Sequence, residues 1–193
     1  LDGGTYQFTG IGSVDAWLEI SVPGNADHEL WTAGIEAPNV QQDANDTDFE
    51  IEVKMESPVS SQFQEQGVLV KQDDNNFLRF EIYSNNTNTL VLSAILSGPP
   101  LNGNITYNDD IGNIGIAPIY MRVKREGDQW TQTYSFDQMN WLPAGSFSHA
   151  MTVNRVGLYS GNAGGNPAHT AQFDYFQSQY SVIPDEDNAS LLP

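Results

Sequence analysis

Apolar and polar side chains alternate most clearly between residues 119 and 176. Ile119-Tyr120-Met121-Arg122-Val123-Lys124-Arg125 reads apolar, polar, apolar, polar. The turn Glu126-Gly127-Asp128-Gln129 follows, and then Trp130-Thr131-Gln132-Thr133-Tyr134-Ser135-Phe136. A period of two broken by a Gly-Asp turn predicts a half-buried antiparallel hairpin. Val156-Gly157-Leu158-Tyr159 and Phe173-Asp174-Tyr175-Phe176 extend the pattern.

The same reading along the chain predicts strands over 6–9, 16–22, 49–56, 67–72, 77–83, 90–95, 119–125, 130–136, 156–159 and 171–180. Gly, Pro, Asn and Asp separate them, and no segment holds helical periodicity for more than a turn. Many short strands with frequent turn signals predict an all-β, two-sheet antiparallel jelly-roll sandwich. Alternation also assigns faces, because successive strand side chains point to opposite sides. Phe49, Ile51, Val53 and Met55 are expected inside, with Glu50, Glu52, Lys54 and Glu56 outside. Leu78, Phe80 and Ile82 are expected inside, leaving Phe77, Arg79, Glu81 and Tyr83 outside. Over 67–72 the pattern blurs: Val68 and Val70 share one face, Gly67, Leu69 and Lys71 the other.

At 193 residues one sandwich over 1–182 is the natural division, long enough to bury a core without disulfide or metal. Residues 183–193, acidic and bounded by proline, read as a linker-like tail to neighbouring domains of the same polypeptide. Leu1 at the start predicts that an upstream segment precedes it. The absence of cysteine excludes thiol catalysis and zinc-thiolate or iron–sulfur sites. A net charge of −18 and a pI near 4.1 disfavour nucleic acid and anionic membranes as partners. No apolar run is long enough to insert into a membrane. Acidity suits a secreted or cell-surface protein in a salty or calcium-rich medium, and equally plain solubility.

Three kinds of chemistry are open to these residues. Glu50 and Glu52, two apart on one strand, share a face at a spacing compatible with a retaining glycosidase, although alternating acids on a strand are more often simply solvated. Sugar recognition fits better, because sugars need aromatic faces and a few fixed polar groups. Gly24-Asn-Ala-Asp-His28-Glu-Leu-Trp31 and the Gly/Asn-rich loop Gly161-Asn162-Ala-Gly-Gly-Asn166-Pro-Ala-His169 supply that mixture. Candidate ligand-binding residues are therefore His28, Trp31, Gln66, Lys71, Arg79, Glu81, Asn162 and His169. Against this, Trp31 is read equally as a packing aromatic, and Arg79 and Lys71 as partners of Glu81 and Glu52 in surface ion pairs. The oxygen-rich runs 43–48 and 108–110 offer ligands to calcium but lack EF-hand spacing, and Asp and Asn also serve as plain turn formers. Asn45, Asn85, Asn104 and Asn188 open Asn-x-Ser/Thr triplets.

Several segments together carry a family resemblance: Ala16-Trp-Leu-Glu-Ile-Ser-Val-Pro-Gly24, Asp48-Phe-Glu-Ile-Glu-Val-Lys54, Gly67-Val-Leu-Val-Lys-Gln-Asp-Asp-Asn-Asn-Phe-Leu-Arg-Phe80, Tyr120-Met-Arg-Val-Lys-Arg-Glu-Gly-Asp128, Tyr134-Ser-Phe-Asp137, Val156-Gly-Leu-Tyr159 and Phe173-Asp-Tyr-Phe176. Over residues 17–177 the chain resembles the concanavalin A-like jelly-roll modules, in particular the C-terminal domain of family 43 glycoside hydrolases of β-xylosidase type and its uncharacterised relatives. The resemblance implies a concave face used for glycan, and a module that rarely catalyses anything itself. It also implies a structural Ca2+ where the last strand meets the N-terminal segment, with Asp174 at the matching position. The chain departs from the pattern at Asp137-Gln138-Met139-Asn140-Trp141, where the family usually has Asp-Gly-x-x-Trp, so a reshaped turn is expected.

These readings converge on a non-catalytic, lectin-like module of a larger secreted or cell-surface bacterial protein, binding polysaccharide or another glycan on the concave face or its rim. A glycoside hydrolase or lyase using Glu50 and Glu52, and a structural spacer of an adhesin, remain as alternatives.

Overall fold

The computed structural model describes residues 3–31, 34–165 and 167–178. Among them are thirteen strands and no helix. In chain order they are β1 (Thr5–Thr9), β2 (Trp17–Val22), β3 (Asn39–Asp43), β4 (Phe49–Met55), β5 (Glu65–Asp73), β6 (Asn76–Ser84) and β7 (Asn88–Ser97). There follow β8 (Asn102–Asn113), β9 (Ile119–Glu126), β10 (Gln129–Ser135), β11 (Leu142–Ser148), β12 (Arg155–Gly161) and β13 (His169–Ser178). A seven-stranded sheet runs β1-β2-β13-β4-β9-β10-β11, and a six-stranded sheet runs β3-β12-β5-β6-β7-β8. Every pairing is antiparallel, so the fold is the expected jelly-roll sandwich. The last strand ends at Ser178; the rest of its expected span, and the tail over 183–193, lie outside the described residues.

The inward residues of both sheets make one core. Ile51, Val53 and Met55 of β4, Val68 and Val70 of β5, Leu78, Phe80 and Ile82 of β6, and Met121 and Val123 of β9 are all buried. Trp130 sits fully buried among them, its ring centroid 5.9 Å from Phe49 and 6.2 Å from Phe80. Burying such side chains contributes roughly 1.5–3 kcal/mol each. The indole N–H is not wasted: it donates to the His149 carbonyl at 2.9 Å.

Three strands, β3, β8 and β11, lie beyond the sequence expectation, and all three are sheet edges. The run 108–110, expected as loop, is part of β8 and pairs with β7.

A larger correction concerns the outer face of the six-stranded sheet. Phe77, Arg79 and Glu81 were expected outside, yet each is at most 4% exposed. Residues 23–31 and 34–38 cross that face. Leu30 and Ala37 from them, with Leu69, Phe77, Leu92, Ala94, Leu96 and Tyr159 from the sheet, form a second buried cluster. Trp31 lies against the backbone at Gly103, where a Cβ would stand 2.5 Å from the ring. The blurred alternation of 67–72 has the same cause: β5 is buried on both faces.

Candidate functional site

The residues expected to bind ligand divide into separate structural groups. Arg79, Glu81 and Trp31 do come together, but under cover. Arg79 donates from Nε and Nη2 to Glu81 at 2.6 Å each, from Nη2 to Glu65 at 2.8 Å, and from Nη1 to the Leu30 carbonyl at 2.9 Å. Tyr159 donates its hydroxyl to Glu81, and the Trp31 ring centroid lies 5.6 Å from the guanidinium carbon. The Arg79–Glu81 pair is therefore real but buried, not a surface contact. Burial would lower the Arg79 pKa, but Glu65 and Glu81 outweigh it and raise it well above its ordinary value. Burial pushes the Glu65 carboxyl up to about 8, the nearby Glu81 adding to this and Arg79 opposing it. Among the described residues Glu65 Oε1 has no hydrogen-bond partner.

His28 and Asn162 clip residues 23–31 to the end of β12. His28 N donates to Asn162 O at 3.0 Å and Asn162 N to His28 O at 3.1 Å. The Asn162 side chain takes His28 N at 2.9 Å and donates to Pro23 O and Pro167 O at 3.0 and 2.9 Å. Gln66 and His169 point between the sheets: Gln66 Oε1 accepts from Ser57 Oγ at 2.7 Å and lies 3.0 Å from His169 Nε2. Because that oxygen only accepts, Nε2 carries the proton. Burial holds the His169 pKa down, to about 4. Lys71 pairs with Asp74 at 2.5 Å, not with Glu52, which belongs to the other sheet. All five side chains are buried and bonded within the fold.

Asp174 is the residue matched to calcium. Its Oδ2 receives the Lys54 ammonium at 2.6 Å, so a cation there would have to displace one already present. Among the described residues no group of three or more His, Asp or Glu side chains is arranged to hold a metal. These surroundings do not fit a calcium ion.

The outer face of the seven-stranded sheet is different, being polar, aromatic and open. Cross-strand pairing sets Glu52 of β4 opposite Arg122 of β9. Arg122 Nε donates to Glu52 Oε2 at 2.7 Å. Tyr175 of β13 donates to Glu52 Oε1 at 2.5 Å, and the Gln138 amide donates to the same oxygen at 2.9 Å and to Tyr175 Oη at 2.8 Å. The Trp141 ring centroid stands 3.7 Å from the Arg122 guanidinium carbon. Partial burial would raise the Glu52 pKa, but the hydrogen bonds from Tyr175, Arg122 and Gln138 prevail and hold it below its ordinary value. Burial and the Glu52 carboxylate together push the Tyr175 phenol well up.

Gln138 occupies the position where glycine was expected. Its φ of 62° is left-handed, the conformation that glycine adopts without strain. The turn thus holds a non-glycine residue in a backbone conformation that glycine favours. Asp137 fixes it by accepting from Asn140 N at 2.7 Å and Met139 N at 2.9 Å, and Trp141 Nε1 donates to the Gln138 carbonyl at 3.1 Å. Further along the face, Glu19 accepts from Trp17 Nε1 at 3.0 Å, from Gln172 Nε2 at 2.9 Å and from Gln7. Lys54 bridges Asp174 and Glu56. The sequence did not single out this cluster, because its acids were weighed as a catalytic pair and Trp141 only as a motif residue.

A hollow of about 170 Å³ lies elsewhere, between the sheets beside Phe8, Val40, Val156 and Phe176. Its walls are mostly apolar side chains, unlike the hydrogen-bonding floor around Glu52.

A family model, the β-xylosidase C-terminal concanavalin A-like domain, matches residues 40–179. The chain belongs to that family. Its fold is similar to that of the GH43 protein BlXynB from Bacillus licheniformis, with a TM-score of 0.68 at 16% identity over 84% of this chain and 32% of that one. A functionally unknown protein from Saccharomyces cerevisiae gives 0.62 at 12% identity over 94% and 97%. A legume lectin-like domain from Entamoeba histolytica gives 0.62 at 9% over 91% and 89%. The chain spans about a third of the length of BlXynB. No curated protein matches its sequence.

Proposed function

We propose that this domain is a non-catalytic carbohydrate-binding module of a larger extracellular protein, and that glycan lies on the outer face of the seven-stranded sheet. One observation carries the proposal. Trp141 stands on Arg122, which grips a Glu52 also held by Tyr175 and Gln138, all on an open face. Sugar needs this combination, an aromatic plane beside rigidly placed donors and acceptors. Each polar group is fixed by another, so little side-chain freedom is lost on binding. Membership of a family named for β-xylosidases, and a fold shared with a lectin-like domain, support the reading. Affinity at one such site is low, and neighbouring domains supply avidity.

The test is a glycan array followed by calorimetry on the purified chain, with Trp141→Ala as the paired variant. Binding that the variant loses supports the module. The same preparation is incubated with chromogenic glycosides. Turnover abolished by Glu52→Gln would replace the proposal with a hydrolase, and silence in both assays would leave a structural spacer.

A further inference from the structure

We infer that the glycan taken by this floor is uncharged. The inference rests on the reading above that the floor binds glycan, and it follows from how the charges on the floor are already paired. The chain has seven Lys and Arg residues, and three of them stand here: Lys54, Arg122 and Lys124. Each already lies against a carboxylate of this chain. Lys54 bonds Asp174 at 2.6 Å and pairs with Glu56. Arg122 lies 2.7 Å from Glu52 and 3.8 Å from Glu50, and Lys124 lies 2.9 Å from Glu126. Glu19 adds a further carboxylate, held by Trp17, Gln172 and Gln7 and with no cation bonded to it among the described residues.

Carboxylates thus outnumber cations on the face, within a chain of net charge −18. A uronate or sulfate ester arriving here would have to break an existing ion pair inside a field of its own sign. A neutral hydroxyl meets no such barrier. It donates to carboxylate and amide oxygens, accepts from the guanidinium, and leaves its C–H face for Trp141. The fit is to a neutral polysaccharide rather than to a pectate, an alginate or a sulfated galactan.

Native affinity electrophoresis of the whole chain tests this, in gels containing arabinoxylan, mixed-linkage β-glucan or mannan against gels containing polygalacturonate, alginate or carrageenan. Retardation by at least one neutral polymer is expected at concentrations about tenfold or more below those of any anionic one. The double variant Glu56→Gln with Asp174→Asn releases Lys54 and should gain retardation by polygalacturonate. Adding Lys54→Gln should remove it again. If the double variant does not fold, as judged by its melting curve, Glu56→Gln alone carries this arm with a smaller expected gain, because Asp174 still holds Lys54 and only one of its two carboxylates is removed. Retention of the unaltered chain by polygalacturonate would overturn the inference while leaving the glycan reading intact. Retention by no polymer would remove both. A released Lys54 that gains no anion binding would overturn ion pairing as the cause.

Discussion

Trp141 and Arg122 stack face to cation, 3.7 Å from ring centroid to guanidinium carbon, while the Nε of the same arginine holds Glu52 at 2.7 Å. The aromatic plane and the polar grip are therefore one unit, and the two should fail together. An exposed cation–π contact is worth about 0.5–1 kcal/mol to the fold. Trp141→Ala should therefore lower stability by about that much, while glycan affinity falls about tenfold or more, because stacking is lost and Arg122 is free to turn. Calorimetry and urea unfolding on one preparation read both numbers. Unchanged affinity would move the site off this face.

Gln138 sets stability against binding. A non-glycine residue held in the left-handed region costs roughly 1 kcal/mol, and such residues persist where the side chain has a use. Here the side chain ties Glu52 to Tyr175. Gln138→Gly should raise the unfolding free energy by about 0.5–1 kcal/mol and weaken glycan binding several-fold. A variant that is both more stable and equally tight would show that the amide plays no part in recognition.

What the sequence showed and withheld follows one physical line. Where a strand lies inside a sheet and one face is core, as at Phe49, Ile51, Val53 and Met55, alternation is unambiguous. At an edge it is not. β3 (Asn39–Asp43), β8 (Asn102–Asn113) and β11 (Leu142–Ser148) pair along one side only and carry Asn, Gln, Gly and Pro, so backbone bonding places them without a hydrophobic signature. The candidate site was harder still. Arg79 and Glu81 sit at outward positions, and nothing local announces that the segment carrying Leu30 and Trp31 returns to cover them. The floor around Glu52 joins β4, β9, β13 and the 137–141 turn, and only the closed sheet brings those four together. Gln138 was visible as an exception, but its left-handed φ and its reach to Tyr175 were not.

Two cations singled out together in the sequence should behave in opposite ways. Arg79 is buried between Glu65 and Glu81, whereas Lys71 pairs with an Asp74 whose side chain is 80% exposed. Removing one partner of a buried ion network leaves the other uncompensated, at a cost of about 3–5 kcal/mol. Arg79→Leu should lose that much or fail to fold. Lys71→Gln should cost less, about 1 kcal/mol, because its one carboxylate partner stands in water although the Lys71 side chain itself is only 11% exposed. Denaturant midpoints of the two variants decide it, and comparable losses would contradict the burial assigned to Arg79.

The same cluster, with His169, predicts an unusual pH profile. Glu65 has its folded pKa raised to about 8 by burial. Between its unfolded value and about 8 the folded state holds the extra proton, so this group's contribution is full at lower pH and is lost as pH rises to about 8. His169 has its folded pKa lowered to about 4. Between about 4 and its unfolded value the unfolded chain holds the extra proton, so this contribution is present at higher pH and lost as pH falls. The two slopes cancel between the unfolded Glu and His values, so the sum is level in mildly acidic solution, falls on the alkaline side as Glu65 ionises toward about 8, and falls on the acid side as His169 is protonated toward about 4. Urea unfolding at intervals from pH 4 to 9 traces it. Glu65→Gln should flatten the alkaline limb and leave the acid one, and His169→Gln should do the reverse. A profile that keeps rising from pH 6 to 9 would mean that Glu65 is ionised in the fold and that Arg79, not burial, governs it.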